Sequence, residues 1–578
     1  MVSRRFSLIF PLISAEGVRP EGSRMIWMMI GDILWNVVIQ DDRPKRGRET
    51  GVIFNIVALS VLNGRNLGKK ARFEKKVLIG RGMFIYLHDS AVNNDFFMIK
   101  STFIGREKEQ AILQSTLQSG DAEMVAVIGR RRVGKTFLIK TVFSAQIDFE
   151  ITGIQNAPLR EQLQHFATRI NNTFYNGKEK LRPKNWLTAF QMLIEALEQK
   201  NKAGRMVVFF DELPWFDTHK SGFIRALGFF WNSWAVDKDI VVLICGSAAS
   251  WMIDKVVYDK GGLHNRITKR IDLLPFNLYE TELYLKSRDI VLDRYQILQL
   301  YMAMGGIPHY LKEVKGGLSA AENIDAVCFS PSGILNDEFN LLYPALFDNA
   351  ELHVTIIKAL AQTWKGLSRK DILTQTGLSD GGGVTKALDE LVRSGFISQY
   401  YPFGKIKKEG VFRLTDEYSL FYLRFIAKRL GRGEQIWQIM SQTPAIRSWS
   451  GYAFESICFK HLPQIKKALG ITGVYSEASS FVFRGTDHEK GIQIDLLIDR
   501  NDRVINVLEI KFYNTTWALD QDEAFSLREK LATFKTVSRT NKQVFLTLIS
   551  TFGIKPNSYS VGLVHRSFDL NILFEPVV

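Results

Sequence analysis

Gly129-Arg130-Arg131-Arg132-Val133-Gly134-Lys135-Thr136 is the stretch whose reading decides the fold. It fits the pattern G-x-x-x-x-G-K-[ST]. The apolar run Met124, Val125, Ala126, Val127, Ile128 predicts a buried strand before it, and Phe137, Leu138, Ile139 and Lys140 begin a helix after it. In that setting Gly129 and Gly134 let the backbone through Arg130, Arg131, Arg132 and Val133 curl, so that its N–H groups and the helix N-terminus face an anion. Lys135 then supplies a point charge for the β- and γ-phosphates of a nucleotide, and Thr136 places its hydroxyl on Mg²⁺.

Two further strands support this reading. Met206 to Phe210 runs into Asp211 and Glu212, where Asp211 is expected to hold Mg²⁺ through its outer shell and Glu212 to polarise the attacking water. Ile240 to Ile244 ends at Cys245-Gly246-Ser247, which lets Ser247 sense the γ-phosphate. Three apolar strands ending in small or polar residues describe a parallel sheet whose ligand edge lies at the carboxyl ends.

The 578 residues are 46% hydrophobic, enough for several packed domains. A formal charge of +15 and a pI near 9.4 favour a polyanionic partner, nucleic acid or an anionic membrane surface alike. Cys245, Cys328 and Cys458 are widely separated, so neither a disulfide framework nor a zinc site is indicated, and a reducing cytoplasm is expected. The apolar stretches Met25 to Ile39 and Val52 to Leu62 are shorter than a membrane span, and Asp32 interrupts the first. No transmembrane helix is therefore expected.

Residues 1–97 carry a net +6 of the charge, with basic clusters at Arg43, Lys45, Arg46, Arg48 and at Lys69, Lys70, Arg72, Lys75, Lys76. No sustained helical or strand period is read there. The segment is expected to be an unpatterned basic extension: a translated upstream region ahead of Met98, or else a nucleic-acid or membrane-surface arm.

From Phe103 the pattern becomes regular. Phe103-Ile104-Gly105-Arg106-Glu107, the phosphate loop, Phe209-Phe210-Asp211-Glu212, Cys245-Gly246-Ser247, Leu263 to Arg266, Leu274-Pro275-Phe276 and Gly305-Gly306-Ile307-Pro308 follow one another. Together they resemble the archaeal-type ATPase family of the AAA-related signal-transduction NTPases, over roughly residues 98–350. The resemblance implies ATP and Mg²⁺ as ligands and a helical lid containing Gly306-Ile307-Pro308. It also implies an arginine facing the γ-phosphate, Arg266 with Arg270 as its rival. Residues 277–345 read as that lid, from the amphipathic faces of Tyr279, Leu283, Leu285 and of Ile297, Leu298, Leu300, Tyr301.

Residues 346–430 read as a winged helix. Leu352, Ile356, Ile357 and Leu360 mark its first helix, the capping box Ser368-Arg369-Lys370-Asp371 opens the second, and Val384, Leu388, Leu391 and Val392 mark the third. The basic wing is Phe403-Gly404-Lys405-Ile406-Lys407-Lys408. Such folds usually place the third helix in a major groove. Here it offers Thr385, Lys386 and Arg393 beside Asp389 and Glu390, which suits packing between domains equally well.

Near the C-terminus, Gln493 to Ile498 and Val504 to Lys511 read as neighbouring strands. Glu509 and Lys511 share a face, and an acid on an apolar strand is costly to bury unless it is paired or binds a cation. Asp495 and Glu509 can together hold Mg²⁺, Lys511 can orient a water, and Glu455 on the helix Tyr452 to Ile457 adds a third acid. The arrangement resembles the PD-(D/E)xK nuclease superfamily, specifically the C-terminal domain of unknown function often attached to this ATPase family, with Ile494-Asp495 in place of Pro-Asp. A salt-bridged hairpin in which Lys511 neutralises both acids is the alternative.

The expected fold is thus multidomain α/β: a P-loop parallel-sheet core over 98–276, a lid over 277–345, a winged helix over 346–430 and a restriction-endonuclease-like α/β domain over 431–578. The expected function is ATP hydrolysis coupled to nucleic acid, DNA first and RNA second, with Glu455, Asp495, Glu509 and Lys511 as the second catalytic set. A non-catalytic, nucleotide-switched DNA-binding or scaffolding regulator is the alternative, and a homo-oligomer is left open.

Overall fold

The computed structural model describes the backbone of residues 23–30, 33–40, 61–62 and 65–66. It also describes residues 104–577 other than 201–203, 259–260, 405–409, 429–434, 442 and 486–490. The chain divides between Ile99 and Lys100.

In the first unit Ser23–Ile30 and Ile33–Gln40 pair antiparallel in register, Ser23 opposite Gln40 and Ile30 opposite Ile33. This corrects the reading of no strand there. Both segments are nearly unbroken apolar runs, so they lack the alternation by which a half-buried strand is recognised. The two basic clusters and Met98 lie outside the described residues.

The second unit begins with a parallel sheet of β1 (Glu123–Ile128), β2 (Phe149–Thr152), β3 (Met206–Asp211), β4 (Ile240–Gly246) and β5 (Lys269–Asp272), in the order β2-β3-β4-β1-β5. Side chains alternate across it with the period of two that a strand dictates. Val125, Val127, Val207, Phe209, Val241 and Leu243 enter one buried cluster; Met124, Ala126, Ile128, Val208, Phe210, Val242 and Ile244 enter the other. Helices cover both faces, which is why these strands read as continuous hydrophobic runs. Each of these side chains larger than alanine contributes about 1.5–3 kcal/mol by leaving water.

The lid residues form helices Leu278–Lys286, Arg294–Met304, Pro308–Leu311, Ala320–Ile324 and Glu338–Leu342. Lid and core meet main chain to main chain, with Phe276 N–H donating to Gly306 C=O at 2.7 Å. A Cβ on Gly306 would stand 1.8 Å from the Phe276 carbonyl oxygen, so only glycine fits.

Helices Ala350–Leu360, Arg369–Thr376 and Gly382–Arg393 follow, with a small antiparallel sheet of β6 (Leu367–Ser368), β7 (Ile397–Tyr400) and β8 (Val411–Leu414) in the order β6-β8-β7. Ser368 and Asp371 cap the second helix reciprocally, as their spacing predicts. The expected wing lysines, Lys405, Lys407 and Lys408, lie outside the described residues.

The C-terminal sheet runs β9 (Ser476–Phe483), β10 (Ile492–Arg500), β11 (Val504–Lys511), β12 (Gln543–Ser550), β13 (Val564–Phe568) in that order. The first three form an antiparallel meander; the helix Gln521–Ser538 carries the chain across to β12, which lies parallel to β11. Helix Pro444–Lys460 precedes the meander and packs against β11. Among the described residues no helix is long and apolar enough to cross a membrane.

Gly306→Ala should lower stability by about 3 kcal/mol or more, because a backbone carbonyl cannot rotate away as a side chain can. Gly451→Ala, inside the helix Pro444–Lys460 with open space around it, should instead stabilise by roughly 0.5–1 kcal/mol. Urea midpoints of the two variants on opposite sides of the wild type are the expected result; a neutral Gly306→Ala would count against the close approach.

Candidate functional site

The phosphate loop leaves β1 at Ile128 and enters the helix Lys135–Phe143 through Gly134, whose φ of 95° suits glycine. Gly129 is required for a different reason: a Cβ there would lie 2.4 Å from the carbonyl oxygen of Leu273. Lys135 is 5% exposed, and its ammonium donates to the carbonyls of Gly129 at 2.9 Å and Arg130 at 3.2 Å.

Asp211, at the end of β3, gathers the neighbouring elements. Its carboxylate accepts from the Thr136 hydroxyl at 3.0 and 3.1 Å, from the Thr152 hydroxyl of β2 at 3.5 Å, and from the Cys245 thiol of β4. Burial, and then the charge of Asp211, push the Cys245 thiol well above its ordinary pKa and keep its proton on sulfur. Thr136 and Asp211 thus bring the hydroxyl and carboxylate oxygens that Mg²⁺ prefers into contact.

Glu212 turns back in the left-handed region, φ 48°. One oxygen accepts from the backbone N–H of Ser247 at 2.9 Å and from its hydroxyl at 2.8 Å; the other lies 3.9 Å from the Lys135 ammonium. The structure therefore brings Lys135, Thr136, Asp211, Glu212 and Ser247 together. Of the two rival arginines, Arg266 is exposed, and Arg270 is held by Asp272 at 2.8 Å on the sheet edge.

Arg130 and Arg132 do not spend their side chains on the phosphate cradle. Arg130 pairs with Asp416, and Arg132 NH1 lies 2.5 Å from Glu338. The opening motif is likewise structural: Arg106 stacks 4.6 Å over Phe276, donates to the Leu274 carbonyl, and its N–H donates to Glu280 at 3.1 Å. Arg393 of the third helix is engaged with Asp254 of the core at 2.6 Å and with Asp389 at 2.9 Å, which turns that helix toward the core.

In the C-terminal domain Leu496 pairs with Leu508, so Asp495 and Glu509 are the next residues across the β10–β11 ladder. Glu509 is 5% exposed; one oxygen meets Lys511 Nζ at 3.0 Å and the other meets Lys530 Nζ at 2.6 Å. Burial would raise the Glu509 pKa, but the two ammonium groups bring it below the usual range. Burial first and Glu509 second raise Asp495. Burial first and Asp495 second push Glu455 up to about 8. The four residues therefore feel one another. Among the described residues, however, no group of three His, Cys, Asp or Glu side chains is arranged to hold a metal. Lys530 instead takes one of the two Glu509 oxygens that a cation would use. Sequence reasoning missed Lys530. Its signal was a lysine inside the apolar stripe Ala524, Leu527, Leu531, Phe534 of the helix Gln521–Ser538.

A curated relative, an uncharacterized protein of Methanocaldococcus jannaschii, is 24% identical over 418 residues, covering 71% of this chain and 87% of its own. Among solved structures, the Walker-type ATPase of Pyrococcus abyssi matches at 16% identity and TM-score 0.40, covering 56% of this chain and 96% of that one. The ORC2 protein of Aeropyrum pernix matches at 16% identity and TM-score 0.35, covering 55% and 92%. Residues 103–314 match the family model described as an ATPase domain predominantly from Archaea, so the chain carries an archaeal-type ATPase domain there.

Proposed function

We propose that the chain binds and hydrolyses ATP at the Lys135 site and couples this to a nuclease-like C-terminal domain that acts on nucleic acid, DNA in the first place. The observation that carries the first half is the meeting of Lys135, Thr136, Asp211, Glu212 and Ser247 at the carboxyl ends of β1, β3 and β4. In this reading Gly129 to Thr136 cradle the phosphates and Lys135 neutralises them. Thr136 and Asp211 would hold Mg²⁺, which supplies charge stabilisation at the transferred phosphoryl group. Glu212 orients the attacking water, and Ser247, by holding one Glu212 oxygen with two donors, sets where that carboxylate points.

The second half rests on the juxtaposition of Asp495, Glu509 and Lys511 on adjacent strands with Glu455 beside them. Residues 346–430, taken as a winged helix, stand between the two sites. Arg393 is already paired with Asp254, which favours an interdomain role for its helix over groove reading. A nucleotide-switched regulator without cleavage is the second reading. The observation that favours it is Glu509, whose two oxygens already face Lys511 and Lys530.

Lys135→Ala should abolish ATP binding, with at least about a hundredfold loss of turnover, while Glu212→Gln should keep ATP affinity and slow hydrolysis comparably, since only a water-positioning group is lost. Equal turnover in wild type and Glu212→Gln would refute the assignment of Glu212. A cleavage assay on DNA and RNA with Mg²⁺, with and without ATP, decides between the two readings of the C-terminal domain. The nuclease reading expects Asp495→Ala to lose cleavage and keep ATP hydrolysis. No cleavage by wild type, together with a lower melting temperature for Asp495→Ala, supports the regulator.

Glu455 adds a pH signature. Its proton is held in the folded chain up to about pH 8, whereas an unfolded glutamate loses it near about 4.3. Between these values the folded state binds more protons, so the stability this group contributes falls as pH rises through the window. Glu455→Gln should therefore gain on wild type in urea midpoint as pH rises from about 5 to about 8; parallel curves would show that Glu455 titrates normally.

A further inference from the structure

Arg130 opens the variable part of the phosphate loop, yet its side chain leaves the loop altogether. It is 4% exposed, its NH1 pairs with Asp416, and its guanidinium lies 4.4 Å over the Phe396 ring. Asp416 in turn caps the helix Glu417–Phe421 by accepting from the Ser419 N–H at 2.9 Å. Burial alone would lower the Arg130 pKa, and Asp416 more than reverses this; burial would raise that of Asp416, and Arg130 leads the groups that bring it down. Yet Arg130 Nε and NH2 have no hydrogen-bond partner among the described residues. A buried ion pair with bare donors is a poor way to add stability, since an apolar pair of similar volume often does as well or better. Its place in the loop suggests another use.

The backbone of the same residue is held from the other side, because the Arg130 carbonyl accepts from Lys135 Nζ at 3.2 Å. The phosphate-seeking ammonium and Asp416 therefore grip one residue at its two ends. Beyond Asp416 the contacts continue: Glu417 Oε1 meets Lys460 Nζ at 2.6 Å, and Lys460 is the last residue of the helix Pro444–Lys460, which also carries Glu455. Arg132 ties the loop to the lid in parallel, through Glu338, which also accepts from the Tyr310 hydroxyl at 3.0 Å.

From this geometry we infer that Arg130 is a positioning residue whose pairing with Asp416 couples occupancy of the phosphate loop to the helix that bears Glu455. The inference rests on the ATP-binding reading above. A phosphate that draws Lys135 Nζ off the Arg130 carbonyl releases one restraint on a residue whose side chain is locked in a packed interior. Such interiors shift between discrete arrangements and do not deform smoothly. The coupling is reciprocal: a change at Asp416 must alter ATP affinity by the same factor as ATP alters the Asp416 contact.

Two measurements on the full chain test this. In wild type, saturation with a non-hydrolysable ATP analogue and Mg²⁺ should change amide hydrogen exchange in Glu417–Phe421 and Pro444–Lys460. Asp416→Asn keeps the shape and the cap but removes the charge; titration with a fluorescent ATP analogue should show affinity lower by about tenfold or more, although Asp416 reaches the phosphate loop only through the outward-turned side chain of Arg130. A merely structural pair would lower the melting temperature of Asp416→Asn and leave affinity within about threefold, and that result overturns the inference. Where Asp416→Asn does not fold, unchanged exchange in wild type at demonstrated saturation overturns it alone. Failure of wild type to bind the analogue at all, with Lys135→Ala indistinguishable from it, would defeat the ATP-binding reading and the coupling together.

Discussion

The carboxylate of Asp211 is the constraint around which the ATPase half closes. It is 6% exposed, and a buried charge persists only if donors surround it. Those donors come from the phosphate-loop helix through Thr136, from β2 through Thr152 and from β4 through Cys245. One charge therefore fixes the relative height of three neighbouring elements. Cys245 is a buried free cysteine, a small side chain whose one weak donor is directed at this acid.

A second level of organisation lies in the arginines of the loop. Had Arg130 and Arg132 reached inward, the cradle would carry two cations beside Lys135 and repel itself. They point outward, and each meets an acid from a later part of the chain. The loop is thus braced by the lid through Glu338 and by the helix after β8 through Asp416. The core, lid and following helices share one buried cluster, and buried ion pairs of this kind add little net stability to it.

Sequence made the phosphate loop legible because its geometry is local: two glycines, a lysine and a threonine within eight residues, between a strand and a helix. Asp211, Glu212 and Ser247 were legible for a related reason, since parallel strands ending in polar residues must present them at one edge. What the sequence hid was partnership. The grip of Ser247 on Glu212, the outward turn of Arg130, the capture of Arg393 by Asp254 and the approach of Lys530 to Glu509 all join residues far apart in the chain. No periodicity encodes such pairs. The strand pair at 23–40 was hidden differently, by being too uniformly apolar to show an alternation.

The C-terminal cluster shows what partnership does to chemistry. Burial and Asp495 push the Glu455 carboxyl up to about 8, so it holds its proton near neutral pH, and both Glu509 oxygens already face ammonium groups, those of Lys511 and Lys530. A divalent cation bridging Glu455 and Glu509 would therefore have to expel a proton from the first or displace an ammonium group from the second, and either step weakens binding at neutral pH. A phosphodiester arriving with its own negative charge would offer Lys530 an alternative partner and leave a Glu509 oxygen free. On the nuclease reading, metal binding at this site should then be cooperative with nucleic acid and should strengthen as pH rises through the range in which Glu455 ionises.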